Sequence, residues 1–446
     1  MTTDPKLDTM QAREMRTAAR EIFLHALSES GIEKSFDRHV FYERGVLRVG
    51  EDLYDIGSYG RVLVASIGKA AHTMVEALMY RVGPGVGVTG IACGPTQPSS
   101  QVFGFRYYVG GHPTPNADSV RAAEAILRSL EYCNQRTLVI FLISGGGSSL
   151  VEKPISESIT LADLAQTYKV LVHSGAPIAE INAVRKHLSA VKGGRLAQAA
   201  TPAHQVSILV SDVPENALDS LASGPTMPDS STIRQCHEIV RKYDLVPELP
   251  ESVRTLFERG LLEETPKQGD EAFARSRWWN ILSNSSAQKA AVEKAALGGF
   301  AVEVDNACDD WDYVKAAEHL LKRVRDLRHG VSRVCLVSGG EVTVTVKGKA
   351  GVGGRNQQLA LYCATRIAGE NIAVLSAGTD GIDGNSHAAG AVADGTTVAR
   401  AKEKGMSVET ALREFNATPL FEAIGDAIVT GPTGTNVRDL RIILAW

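Results

Sequence analysis

Four short stretches, RVLVASIG (61–68), GIACG (90–94), LVIFLISGG (138–146) and VSILVSD (206–212), are apolar almost throughout, and helical patterns lie between them. A strand that is apolar on both faces must be covered on both faces. Crossover helices between successive strands make those strands parallel. The first half of the chain is therefore expected to form a doubly wound α/β domain, with YYVGG (107–111) as a further strand.

At 446 residues the chain exceeds one ordinary core, so two domains are expected. The polar, aperiodic stretch LEETPKQGDEAFARS (262–276) marks the junction, giving domains over 10–262 and 276–446. Residues 11–29 place Met15, Ala18, Ile22 and Ala26 on one stripe and read as an amphipathic helix opening the first domain. In the second half, WWNILS, AVEVD, RVCLVSGG, EVTVTV and IAVLSAG read as strands. The third and fourth have little room for a crossover helix, which predicts a hairpin over 333–346 and a mixed sheet.

A net charge of −4 lacks the basic footprint of a nucleic-acid binder. The six cysteines lie far apart without a CxxC pair, which predicts free thiols in a reducing compartment. Asp4, Asp8 and Glu14 near the N-terminus fit neither a signal nor a transit peptide. No apolar run approaches the ~18 residues of a membrane span. The expectation is a soluble, cytoplasmic protein, a monomer or small homo-oligomer, with no nucleic-acid or membrane partner.

Several turns carry the residue types that hold phosphate. Strand ends followed by glycine turns and helix starts present N–H groups without internal partners, and the helix dipole adds positive potential. SGGGSS supplies Ser144, Gly145, Gly146, Gly147, Ser148 and Ser149 in such a place; SIGKAA sets Lys69 at a helix start. No GxxxxGK[ST] exists, which excludes a P-loop. GVGVTG (85–90) matches GxGxxG literally but leads into a strand, the reverse of the dinucleotide order. The helical stretch 182–197 carries Arg185, Lys186, Lys192 and Arg195, a basic face or an anion contact. GGRNQQLA opens a helix with Arg355 and Asn356, whose planar guanidinium suits a phosphate or carboxylate. Asp212 follows a strand in the first half; Asp380 and Asp383 follow one in the second, and Glu341 follows Gly339-Gly340. Such acids can hold Mg²⁺ or accept a hydroxyl proton. His112 in GGHPTP is a turn residue or a substrate contact, and GPTGTN (431–436) is a hairpin loop or a ligand loop. SGG, GGR and GPT each recur in the same order in both halves at different spacings. That echo reads as either a duplication or two surfaces meeting similar anionic chemistry.

Together SIGKAA, GGHPTPNADS, LISGGGSSL, INAVRKHLSAVKGGRLA, LVSDVPEN, LASGPTMPD, VSGGEVTVTV, GGRNQQLAL, SAGTDGIDG with AAGAV, and TGPTGTNVRDL resemble the class II glycerate kinases, whose C-terminal portion is the MOFRL domain. The resemblance is nearly full length. It implies a Rossmann-like N-terminal domain, a smaller mixed α/β domain and an active site in the cleft between them. It implies ATP- and Mg²⁺-dependent phosphorylation of D-glycerate, yielding 2-phosphoglycerate. Lys69, Arg355, Asp212 and Asp380 are then the catalytic candidates, the last two also for the metal. Ser144–Ser149, Gly339, Gly340, Glu341, Asn356, Thr435 and Asn436 are the nucleotide candidates. His112, Arg185 and Lys192 are the substrate candidates. After Glu215, Asn216 stands where the family's pattern has a second acid, and His387 stands where an Asp is common, which argues against a metal role at those two positions. Two rival readings remain, a nicotinamide-dependent hydroxypyruvate reductase and a non-catalytic nucleotide-binding protein.

Overall fold

The computed structural model describes residues 9–346 and 348–446. The chain divides into two compact units: Ile32–Ile281, and the chain up to Gly31 together with Leu282–Trp446.

The first unit begins with an antiparallel meander of β1 (Val40–Glu43), β2 (Val46–Val49) and β3 (Asp52–Asp55), which the sequence pattern did not suggest. Its main sheet contains β4 (Arg61–Ile67), β5 (Val88–Gly94), β6 (Phe105–Val109), β7 (Thr137–Ser144), β8 (His204–Val210) and β9 (Ser276–Leu282), in the order β6-β5-β4-β7-β8-β9. From β6 to β8 every pairing is parallel. All residues of the central β7 are buried, as an all-apolar strand requires when helices cover both faces. The WWNILS segment, expected in the second domain, instead forms the edge strand β9 of this sheet.

The second unit carries β10 (Ala301–Val304), β11 (Val334–Gly339), β12 (Ile372–Gly378), β13 (Gly390–Asp394), β14 (Ala427–Ile428) and β15 (Asp439–Ala445). Their order is β10-β11-β15-β12-β13-β14. The sheet is mixed, as expected, but for a different reason. β15 inserts antiparallel between β11 and β12 and takes the pairing edges of both. EVTVTV therefore has no ladder to join; beyond Gly340 it makes only an isolated bridge, Thr343 with Asp312, and the expected hairpin is absent. GPTGTN likewise joins strands that are not neighbours, since β12 and β13 separate β14 from β15.

The helix Thr9–Glu29 is amphipathic as read, but it belongs to the second unit. Ala19, Ile22, Phe23 and Ala26 join Ala291, Leu375, Leu440 and Ile442 in one core. Arg16 pairs with the buried Asp394, and Arg20 donates to the Ala427 and Gly425 carbonyls at 3.2 and 2.9 Å. All six cysteines are free, and all but Cys133 are buried. Among the described residues no helix is long and apolar enough to cross a membrane.

Candidate active site

In the first unit, the C-terminal ends of the parallel strands gather one set of functional side chains, where open α/β sheets bind ligands. The turns after β4 and β7 are stitched together. The Lys69 N–H donates to Gly145 O at 2.9 Å, and the Ala70 N–H donates to Ser144 Oγ at 3.0 Å. The following helix starts at Ala71, so Lys69 stands in the turn itself, exposed.

The bare backbone of SGGGSS has a specific use. A Cβ on Gly145 would lie 1.9 Å from Asp212 Oδ2. Gly146 has φ +79°, and a Cβ there would meet Lys69 Cγ at 3.0 Å and His112 Cε1 at 3.4 Å. The glycines thus let Lys69, His112 and Asp212, carried from β4, β6 and β8, close onto one turn. His112 Nδ1 lies 3.1 Å from Ser149 Oγ, and burial, then the Lys69 charge, lowers the imidazole pKa. Gly147 opens the short helix Gly147–Leu150, whose leading amides lack intrahelical partners.

The cationic stretch divides. It forms two helices, Ile178–His187 and Arg195–Ala200, and only Arg185 among its basic residues reaches the cleft of about 840 Å³ that also contains His112, Gly146, Ser148 and Ser149. Lys192, expected to contact substrate, is buried against the equally buried Glu152. Lys186 pairs with Asp229 at 3.0 Å and Asp219 at 3.2 Å, and Arg195 donates to the Glu263 carbonyl at 3.1 Å. The stretch is therefore neither a solvated basic face nor one continuous anion platform.

In the second unit, the start of β15 lies beside the ends of β11 and β12, which brings Asp439, Glu341 and Asp380 to one end of the sheet. Arg355 opens the helix Arg355–Arg366 and clamps this end. It donates to both oxygens of Asp439 at 2.6 and 3.0 Å, and to Glu341 Oε2 at 3.0 Å. Burial works against the guanidinium's charge, yet the two carboxylates raise its pKa. Burial pushes the Glu341 carboxyl up, with Arg355 opposing. The anion that Arg355 was expected to seek in a ligand is thus supplied within the protein.

The helix start behind Arg355 is also filled from within. Asp383 is buried and accepts the Asn356 N–H at 3.1 Å and the Gln357 N–H at 2.8 Å. Burial raises its pKa to about 6 although these donors oppose the shift. Asn356 is itself buried, its side-chain oxygen accepting from Ser376 Oγ at 2.6 Å.

The second SGG turn differs from the first. The Gly339, Gly340 and Glu341 N–H groups donate to Asn306, Asn284 and Asp309 at 2.9, 3.2 and 3.0 Å. Below them the fully buried Arg441 donates to the Gly339 and Gly340 carbonyls at 2.8 and 2.9 Å. Gly339 and Gly340 accordingly hold Glu341 in place and have no amide left for a nucleotide. Within GPTGTN, Thr433 Oγ1 donates to the Thr379 carbonyl at 2.7 Å, Thr435 is buried, and Asn436 accepts the Arg438 N–H at 3.0 Å. A second cleft of about 620 Å³ lies in this unit, bounded by Arg355, Asp380, Asp383, Val342, Val346 and Gly351.

The sequence reasoning missed Glu152, Tyr168, Asp309, Asp439 and Arg441. Asp439, the acid heading the apolar run RIILA, carried a readable signal, since an acid at a strand terminus is the pattern that singled out Asp212 and Asp380.

Residues 18–258 match a family described as a domain of unknown function (DUF4147), and residues 334–439 match the MOFRL family. A glycerate 2-kinase of Pyrococcus horikoshii is 37% identical, covering 86% of this chain and 87% of that protein. A protein of Agrobacterium vitis, provisionally named a hydroxypyruvate reductase, is 36% identical over 86% of this chain and 87% of its own. The crystal structure of a glycerate kinase of Thermotoga maritima superposes with a TM-score of 0.85 and 32% identity, covering 97% of this chain and all of that one.

Proposed function

The chain belongs to the glycerate kinase family that carries the MOFRL domain, and from that premise we propose that it transfers the γ-phosphoryl group of ATP to the C2 hydroxyl of D-glycerate. The observation that carries the reading is the glycine turn after β7. It draws a lysine, a histidine and an aspartate from three parallel strand ends onto one stretch of backbone. Phosphoryl transfer needs little covalent help from the protein and much positioning and charge neutralisation.

In this reading the Lys69 ammonium neutralises phosphate charge beside the Gly147–Ser148 amides. Asp212, at the end of β8, takes the proton of the attacking hydroxyl. Arg355 holds Glu341 and Asp439 in register at the end of the second unit's sheet, and Asp380 borders the cleft there. Mg²⁺ typically takes one or two carboxylates and completes its shell with water and phosphate oxygens. Asp212 in the first unit, or Asp380 in the second, would supply such a carboxylate. When bound, the ion offsets the charge that develops on the transferred group.

A coupled assay tests the proposal. D-glycerate with Mg·ATP is expected to release ADP, and phosphorus NMR is expected to show 2-phosphoglycerate. NADH with hydroxypyruvate is expected to show no turnover, since GVGVTG forms the loop into β5 and not a strand-to-helix turn. Hydroxypyruvate-dependent NADH oxidation without ADP release would overturn it.

A further inference from the structure

The cleft of the first unit is cationic and has no acid among its lining residues: Arg185 and Lys169 supply its charge, and His112 and His173 also line it. Arg185 is half-buried, and its Nε is buried without a hydrogen-bond partner. Its guanidinium lies 4.6 Å over the Tyr168 ring. Burial lowers the Arg185 pKa, and Tyr168 supplies the opposing influence. A half-buried guanidinium on an aromatic face, without a carboxylate beside it, has its donor fork available to a planar anion.

The ring beneath it is held from behind. Tyr168 Oη donates to Glu152 Oε2 at 2.5 Å, and Ser189 Oγ donates to Oε1 at 2.5 Å. The Lys153 N–H adds a bond to Oε1 at 2.9 Å, and the Lys192 ammonium ends on Oε2. Glu152 and Lys192 are 0% and 1% exposed, so neither can meet a ligand directly. Burial lowers the Lys192 pKa, and the opposed carboxylate offsets that cost.

Resting on the kinase reading, we propose that this cleft seats the carboxylate end of the acid substrate on Arg185. Tyr168, fixed by the buried Glu152–Lys192 pair, is the positioning residue that presents the guanidinium. The ring supports one face of the guanidinium, which leaves its edge for two parallel N–H···O bonds. The nucleotide's phosphates offer the same charge without the same planarity, and kinetics separates the two sources.

The test is steady-state kinetics on the full chain, varying D-glycerate at saturating Mg·ATP and then the reverse. Arg185→Lys and Tyr168→Leu are each expected to raise KM for glycerate by about tenfold or more. KM for ATP and kcat should stay within about threefold, as for an interaction common to ground and transition states. Tyr168→Phe keeps the ring but loses the bond to Glu152, and its KM for glycerate is expected to fall between those of wild type and Tyr168→Leu. A rise in KM for ATP in place of glycerate, or no change in either, overturns the assignment while the kinase reading stands. If Tyr168→Leu does not fold, Arg185→Lys decides alone. A wild type that releases no ADP on glycerate defeats the kinase reading separately. Calorimetry of D-glycerate with wild type and Arg185→Lys then decides the subsite: binding lost in the variant upholds it, and equal or absent binding overturns it.

Discussion

Replacing Gly145 by alanine isolates the role of Asp212 without touching its carboxylate chemically. Gly145 is not among the positive-φ residues, so alanine adopts its backbone without strain. The added methyl would sit 1.9 Å from Asp212 Oδ2, 2.5 Å from Cγ and 2.9 Å from Oδ1. Ordinary contact between such atoms begins at roughly 3.3 Å, so the carboxylate must retreat by more than about 1 Å. A displacement of that size at a reacting group costs about 10²-fold in rate, or ~2.7 kcal/mol of activation free energy. Overpacking adds about 1–3 kcal/mol of destabilisation. The measurement is kcat by coupled ADP release on protein whose circular dichroism matches wild type, alongside Asp212→Ala and the double variant. If both single changes act through the carboxylate, the double variant should be no slower than Asp212→Ala. A folded Gly145→Ala enzyme within about threefold of wild-type kcat would refute the reasoning, as would full additivity.

Arg355→Ala leaves the buried Asp439 without its bidentate partner, and a loss of about 3–5 kcal/mol is expected in urea denaturation. Asp383 titrates at about 6 in the fold against an ordinary value of 3.8. Its protonated form is therefore favoured by folding, and its contribution to stability falls as pH rises from about 4 through 6, by roughly 3 kcal/mol in all. Asp383→Asn should flatten the dependence of Tm on pH across that window; an unchanged slope would count against it. Lys192→Met strands Glu152 as a buried unpaired charge and should cost about 3–5 kcal/mol, with Glu152→Gln added to it recovering part. Thr433→Val removes the hydroxyl that donates to the Thr379 carbonyl and accepts the Thr435 N–H, and a loss of about 1–3 kcal/mol in thermal denaturation is expected.

The parallel sheet was legible because a strand buried on both faces leaves an unmistakable apolar run. EVTVTV was misread because alternation establishes that a segment can be a strand, not that a pairing edge is vacant. β15 holds the edge it would need, from about a hundred residues away. Lys192 illustrates the same limit for charge. A lysine among basic neighbours looks solvated or ligand-directed, and nothing local announces that Glu152, forty residues earlier, encloses it. The turn after β7 reads in the sequence as bare backbone for an anion, and the structure gives its glycines a second use. Their bare backbone admits the protein's own Lys69, His112 and Asp212. The two SGG turns share letters and not surroundings, since four side chains from three other segments saturate the second.

The placement of β15 governs the order in which the second unit can be assembled. Removing it from β10-β11-β15-β12-β13-β14 leaves a two-stranded fragment and a three-stranded fragment with no ladder joining them. The helix Thr9–Glu29 leaves the ribosome before either sheet, yet its apolar stripe closes on Leu440 and Ile442 of that same strand. During synthesis the first unit can fold as a contiguous segment, while this helix waits with its stripe uncovered for over four hundred residues. Such long-range closure slows folding and prolongs exposure of apolar surface. The apolar stripe of this helix thus waits for its core partners far longer during synthesis than the faces of the contiguous first unit.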